Sequence, residues 1–583
     1  MKKAKLSALL LVVVLIFSLL SGCTPAPQPA APTAAPTEAP VETATEAPAE
    51  APVEPVAEAA KEAAPAAANL PAKKIVFGFQ VAASRFDPLE VVQENIGGRC
   101  VGEMVFEPLI MSDGMGNFFP WLAESYEVNE DATEWVFKIR QDVTFSNGEV
   151  MNADDVVCTY ERVIANYEVP RFAGVIRNVF PQKLLESVEK IDDYTVKIQL
   201  AYSYANSLLS FTDVVIIPNE AFAARGDELF QDHSVNGYYG TGPWIMQGQI
   251  TGQSANYKKN PNYWNKNFDS YYDEVEFIFI SEQSTAIAAC ISGNIQAYIP
   301  GGGIRKDLLP QFDSVKDKFD VFKTGQRSFY YLQFQSSDGK TFQNQELRKA
   351  FWMSVDFESI LEYVLGGGTT MTQWIPEGFE GYDPSLPPYE YNPEEAKKIL
   401  EASGYNGEEL GLYSATGTFM SEDQMLAIAD CANAVGFNCK VYILENASLQ
   451  GIRESGQYDI FMAPANFADA SPTVNIMARI RNDQDKHDFW DDELMGQLDS
   501  AAATFDKETR EAHYRAAMAR IRELWGPMIG MYYADAYAAV GYGIEGIELA
   551  IGSQIYATFV DFNEENPSST VHGVDWETLR QGL

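Results

Sequence analysis

The sequence predicts a mixed α/β or α+β fold for one large body running from residue 71 to about residue 570, and three observations carry that expectation. Period-two strands alternate with capped helices from Ile75 to Phe562. No internal repeat occurs, and nothing after Leu70 has the composition of an interdomain tether, so any lobes are joined by hinge strands within one unit. Of 583 residues, 46% are hydrophobic and 12% aromatic, which excludes wholesale disorder and allows several lobes.

Lys2, Lys3 and Lys5 precede an apolar run from Leu6 to Leu20 that is too short and too one-sided in its flanks for an ordinary membrane span. It reads as a secretory signal. The run ends in Leu20-Ser21-Gly22-Cys23, which resembles the lipobox of bacterial lipoproteins and implies that Cys23 is diacylated and becomes the mature N-terminus. Thr24 to Leu70 is almost wholly Ala, Pro, Thr and Glu, with nothing to bury, and predicts a disordered or polyproline-like stalk reaching roughly 140 Å. Beyond it, residues 71–583 carry 38 basic and 75 acidic side chains. Such a surface repels phosphate backbones, so nucleic acid is excluded as a partner.

Within the body, Ile75 to Gln80 predicts a strand, Phe86-Asp87-Pro88 a turn, and the apolar stretch up to Glu107-Pro108-Leu109 a helix. Ser125–Val128 and Trp135–Arg140 alternate around a polar turn, placing Trp135, Phe137 and Ile139 on one face. Asn147-Gly148 predicts a tight turn. Asn152 predicts an N-cap with Asp154 and Asp155 in the first turn, and Val156, Tyr160, Val163 and Ile164 form the inward stripe. A second helix has Asn392 as cap, Pro393 at its first position, Ala396, Ile399 and Leu400 inward, and Gly404 as its stop.

Trp121-Leu122-Ala123-Glu124-Ser125-Tyr126, Trp135 to Arg140, Phe145-Ser146-Asn147-Gly148 and Ala153-Asp154-Asp155-Val156-Val157 together resemble the signature block of family 5 extracellular solute-binding proteins. Gly240-Thr241-Gly242-Pro243-Trp244, Asn260-Pro261-Asn262-Tyr263-Trp264, Leu347-Arg348-Lys349-Ala350-Phe351 with Asp356, and Asn392 to Lys397 extend the resemblance in order across residues 71–570. It implies a periplasmic-binding-protein-like two-lobed clamshell, type II and cluster C-like, with an extra subdomain in the N-terminal lobe. By analogy, lobe I takes 71–111, 213–325 and 531–583, the subdomain 112–212, and lobe III 326–530. It further implies a monomer that captures a small molecule or short peptide, closes, and presents it to ABC permease subunits driven by a separate ATPase, while an acyl anchor holds it to the outer face of the cell membrane. An oligosaccharide ligand, a surface-anchored hydrolase and a sensor remain alternatives.

Motifs for other chemistry fail on context. Gly541-Tyr542-Gly543-Ile544-Glu545-Gly546 matches a dinucleotide fingerprint as a string, but a β-rich segment follows where a helix is needed. Gly339-Lys340-Thr341 lacks the upstream glycine of a phosphate loop, Phe334 standing there. His233, His487, His513 and His572 form no metal or triad motif, and the acidic cluster Asp483, Asp485, Asp488, Asp491 and Asp492 lacks the glycine of a calcium loop. No metal, cofactor or catalytic constellation is assigned. Cys158 and Cys290 fall at apolar helix positions, whereas Cys431 and Cys439 could meet across a helix-to-strand corner as a disulfide.

In peptide-binding relatives a lobe III loop carries a Trp and then an Asp that pairs with the peptide ammonium. Tyr458–Met462 resembles the strand before that loop and Asp469 matches the Asp, with Asn466 where the Trp is expected and Phe467 beside it. The other wall candidates are Tyr413 and Thr416, in a loop before the helix of Ser421–Val435, then Trp374, for which core packing is the alternative reading, and then Arg327 and Tyr330 next to a hinge strand.

Overall fold

Trp135, Phe137 and Ile139 lie on the buried face of the strand Glu134–Ile139, as their spacing requires, and are at most 3% exposed. That strand sits inside a four-stranded antiparallel sheet with Ala123–Val128, Thr195–Leu200 and Leu185–Asp192. Ala153–Ala165 packs on it through Val156, Tyr160 and Val163. Its N-terminus is a capping box: Asn152 accepts from Asp154 N–H, and Asp155 returns to Asn152 N–H at 2.8 Å. These elements form a small subdomain with its own core.

The computed structural model describes residues 72–80, 86–91, 96–113, 117–230, 238–300, 303–324, 328–375, 377, 379–415, 422–466, 489–526, 528–549, 555–563 and 573–583. The signal segment, Cys23 and the stalk lie outside the described residues.

Two large sheets organise the rest. The first has seven strands in the order 319–323, 537–541, 297–298, 74–79, 274–279, 254–259, 244–250. The second has six, ordered 368–370, 528–534, 328–334, 460–466, 410–415, 439–444. Each sheet is covered on both faces by its own hydrophobic clusters, as a sheet with a parallel centre requires. The chain leaves the first sheet after Lys323 and enters the second at Ser328, then leaves the second after Ala534 and re-enters the first at Tyr537, so the two lobes are joined by two short crossings. Met528–Ala534 belongs wholly to the second sheet, spanning the expected boundary at 531.

Buried polar groups bolt the subdomain to the first lobe. Glu107 is 1% exposed and accepts four hydrogen bonds, from Trp121 Nε1 (2.8 Å), Thr241 Oγ1 (2.7 Å), Tyr263 Oη (2.8 Å) and Trp264 Nε1 (2.9 Å). Burial, ahead of these donors, holds its carboxyl above the ordinary range. Arg162, from the subdomain helix, grips Asp87 of the first lobe through both terminal nitrogens (2.8 and 2.7 Å) and also reaches Asp227. The Gly240-Thr241-Gly242 motif has a steric reason: a Cβ at Gly240 would fall 1.9 Å from the Val105 carbonyl oxygen. The dinucleotide-like string ends in strands, Ile544–Glu545 following Gly543, so no helix N-terminus stands there.

Cys431 and Cys439 are both free, which corrects the expected disulfide. The corner between their helix and strand is instead bridged by Asn433, whose Oδ1 accepts Cys439 N–H at 2.6 Å and whose Nδ2 donates to Cys439 O. Burial pushes the Cys439 thiol up to about 12, so it stays protonated. Cys290 is a buried filler as expected, while Cys158 is only half-buried.

Candidate functional site

Ligands of open α/β sheets bind beyond the carboxyl ends of the parallel strands. In the first sheet, 74–79, 274–279 and 297–298 run parallel, and 319–323 runs the same way through its antiparallel partner 537–541. Their carboxyl ends, Phe79, Phe279, Tyr298 and Lys323, therefore lie along one edge with Tyr537. In the second sheet, 439–444, 410–415 and 460–466 are parallel, and the antiparallel 328–334 begins opposite the end of 460–466, Ser328 pairing with Asn466. Ala534 and Gly368 close that edge. Both crossings leave from these two edges, so the ligand-competent ends of the two sheets converge on the hinge.

Segments at the first edge are tied together by Gln283, 7% exposed and at the start of the helix Gln283–Ile291. Its Nε2 donates to Gly303 O (2.9 Å) and lies 3.4 Å from Gln80 Oε1, while its Oε1 accepts Arg305 N–H (3.0 Å). One amide thus ties together the segments that follow three parallel strands. At the hinge, Asp535 pairs with Lys323 at 2.6 Å, and its N–H donates to Gly367 O. Gly367 sits at φ +148°, which L side chains rarely adopt, and a Cβ there would lie 2.8 Å from the Asp535 carboxylate and force it to shift. Thr324 N–H and Oγ1 both donate to Ala536 O, binding one crossing to the other.

A family model described as bacterial extracellular solute-binding proteins, family 5 middle, matches residues 117–488. The chain belongs to this family. It is 25% identical over 409 residues to the periplasmic oligopeptide-binding protein OppA of Haemophilus influenzae, covering 65% of this chain and 73% of the relative. It is also 25% identical over 459 residues to the nickel-binding periplasmic protein of Escherichia coli, covering 72% and 82%. A dipeptide binding protein from Pseudoalteromonas sp. SM9913, solved with Met-Leu, matches with a TM-score of 0.73 at 18% identity over 84% of this chain and 100% of that one. The shared fold is the two-lobed clamshell.

In this family 5 protein the expected ligand residues divide into three groups. Asp469, Phe467, Thr416 and Arg327 lie outside the described residues, as do Asp483, Asp485 and Asp488 of the acidic cluster. Asn466 is the last residue of its strand, at the hinge edge. Trp374, Tyr330 and Tyr413 are described, and two of them are core residues. Trp374 is 1% exposed, donates from Nε1 to Met528 O (2.9 Å) and meets Phe329 edge-on at 5.1 Å. Tyr330 is 3% exposed, packs against Tyr532 at 5.2 Å, and burial raises its phenol. Tyr413 lies on the strand Leu410–Ala415 rather than in the loop after it, its ring stacked on Tyr442 at 4.9 Å and 12° and folded back over Gly411. Asp491 of the acidic cluster caps the helix Asp492–Ala503 and pairs with Arg520 at 2.8 Å. Among the described residues no group of three or more His, Cys, Asp or Glu is placed to hold a metal, and no helix is long and apolar enough to cross a membrane.

Gln283, Lys323 and Asp535 carry no site signal in the sequence. A glutamine at a helix start and an ion pair across a hinge leave no local pattern.

Proposed function

We propose that this chain is an extracytoplasmic, lipid-anchored, monomeric receptor that captures a short peptide between lobe I (71–111, 213–325 and 535–583) and lobe III (326–534) and delivers it to an ABC permease with a separate ATPase. The subdomain at 112–212 travels with lobe I. The convergence of both sheets' ligand-competent edges on two short crossings carries the reading, because a solute placed there touches both lobes and favours their closure by its differential affinity. The peptide class is supported by the oligopeptide- and dipeptide-binding relatives.

Asp469, in the segment that follows Ile460–Asn466, is assigned to the peptide ammonium. Trialanine is expected to bind in calorimetry. N-acetylation of the peptide, or Asp469→Asn in the protein, is expected to weaken binding about thirtyfold, about 2 kcal/mol, because one member of a desolvated charge pair is left without its partner. Equal binding of free and acetylated peptide would show that Asp469 does not have this role.

The lipid anchor is tested separately. The intact protein is expected to enter the detergent phase on expression in a bacterium, and Cys23→Ala to be released or to keep its signal segment. Unchanged partitioning of that variant would refute acylation at Cys23.

A further inference from the structure

Lys306 brings a cation without a counter-charge to the hinge edge. Ile304 N–H donates to Tyr537 O at 2.7 Å and Arg305 N–H to Gln283 Oε1 at 3.0 Å, so the backbone that leads into Lys306 is pinned to the first sheet. The aliphatic stem of Lys306 then lies over Gly366 of the second lobe, where a Cβ would stand 3.7 Å from Lys306 Cδ. At Gly367 a Cβ would meet Lys306 Nζ at 3.4 Å and an Asp535 carboxylate oxygen at 2.8 Å. The ammonium and the carboxylate thus flank one spot that glycine leaves without a side chain. Gly366, Gly367 and Gly368 all have positive φ (+76°, +148° and +153°) and are half-buried, forming a shelf of bare backbone at the edge of the second sheet.

Charge at this shelf does not cancel. Asp535 is paired with Lys323 at 2.6 Å, and Arg305 with Asp307. Among the described residues Lys306 has no carboxylate partner. The body carries 75 acidic and 38 basic side chains, so a cation left over at the edge where both sheets present their ligand-competent ends runs against the surface as a whole. An exposed ammonium adds little to stability. It offers a charge-assisted hydrogen bond to an anionic group laid over it. One spare positive charge matches a monoanion, whereas a phosphate dianion would keep a charge uncovered.

We propose that Lys306 receives the carboxylate of the captured solute above Gly366 and Gly367, and so selects peptides with a free carboxyl terminus. This rests on the solute-capture reading and deepens it by naming the residue that reads the anionic end.

In calorimetry, wild type is expected to bind trialanine about tenfold more tightly than its carboxyl-terminal amide, a moderate factor because the ammonium is exposed. Lys306→Gln is expected to lose that tenfold and to bind acid and amide alike, while Lys306→Arg keeps the preference. Thermal unfolding of both variants is expected to match wild type. A Lys306→Gln variant that still prefers the acid by the wild-type factor would overturn the assignment. A second measurement needs no peptide. The lysines are dimethylated with isotope-labelled formaldehyde, which keeps their charge, and the Lys306 resonance is identified by its loss in Lys306→Arg. Acetate is expected to shift it further than the resonance of Lys397, an exposed lysine on the helix Pro393–Ala402. If trialanine fails to bind, the peptide reading fails and acetate decides the site: a selective shift at Lys306 supports it, and equal shifts at Lys306 and Lys397 overturn it.

Discussion

Arg162→Met is expected to destabilise the body by about 3 to 5 kcal/mol, read as a lowered midpoint in urea unfolding. Arg162 is 5% exposed and Asp87 2%, and the pair is bidentate, so the substitution leaves a carboxylate inside the protein without its cation. Arg171 does not replace it, its Nη2 lying 3.9 Å from Asp87 and committed to Glu90 at 2.6 Å. The aromatic rings of Phe172, Phe222 and Phe230 surround the guanidinium at 5.6, 5.2 and 4.9 Å, so water does not reach in to compensate. Adding Asp87→Asn to the variant removes the stranded charge and is expected to recover a large part of the loss. A midpoint within error of wild type would mean that this pair contributes nothing to joining subdomain and lobe.

Trp374→Ala is expected to cost about 3 to 5 kcal/mol, through lost burial and the cavity left beside Phe329 and Tyr331. Trp374→Phe keeps the packing but leaves Met528 O without its donor, and is expected to cost about 1 to 3 kcal/mol. Neither change is expected to alter trialanine affinity in the folded protein. A variant that melts like wild type but binds peptide poorly would return Trp374 to the ligand wall.

The contrast between Asn152 and Trp374 shows where the sequence is legible. A capping box is written within four consecutive residues, and the strand from Glu134 to Ile139 declares its buried face by alternation alone. Trp374 sits among glycine, threonine and proline, a context that suggests a loop at a binding wall. Its indole is nevertheless drawn inward by a carbonyl 154 residues away. The polar run from Ser414 to Phe419 suggests a loop at Tyr413, but pairing with Cys439–Leu444 extends the strand through Ala415. Cys431 and Cys439 are close enough in sequence to suggest a bridge, yet Asn433 makes the corner without one. Arg162 and Asp87 are 75 residues apart, and their partnership has no sequence period to reveal it. The family motifs are legible because many such local signals recur together and in order, even though each one specifies only a turn, a cap or a close backbone approach.

The run from Met528 to Gly541 has a consequence for how the protein is made. Its first part inserts into the second sheet between 368–370 and 328–334, and its second part into the first sheet between 297–298 and 319–323. Neither sheet has a continuous ladder until this run has been synthesised, near the end of the chain. The lobes are therefore completed together and late, by long-range pairings that are slow to form. On the export proposed above, a chain threaded through a membrane N-terminus first keeps both sheets unfinished for most of its passage. A chain ending before Met528 lacks a strand in each lobe at once.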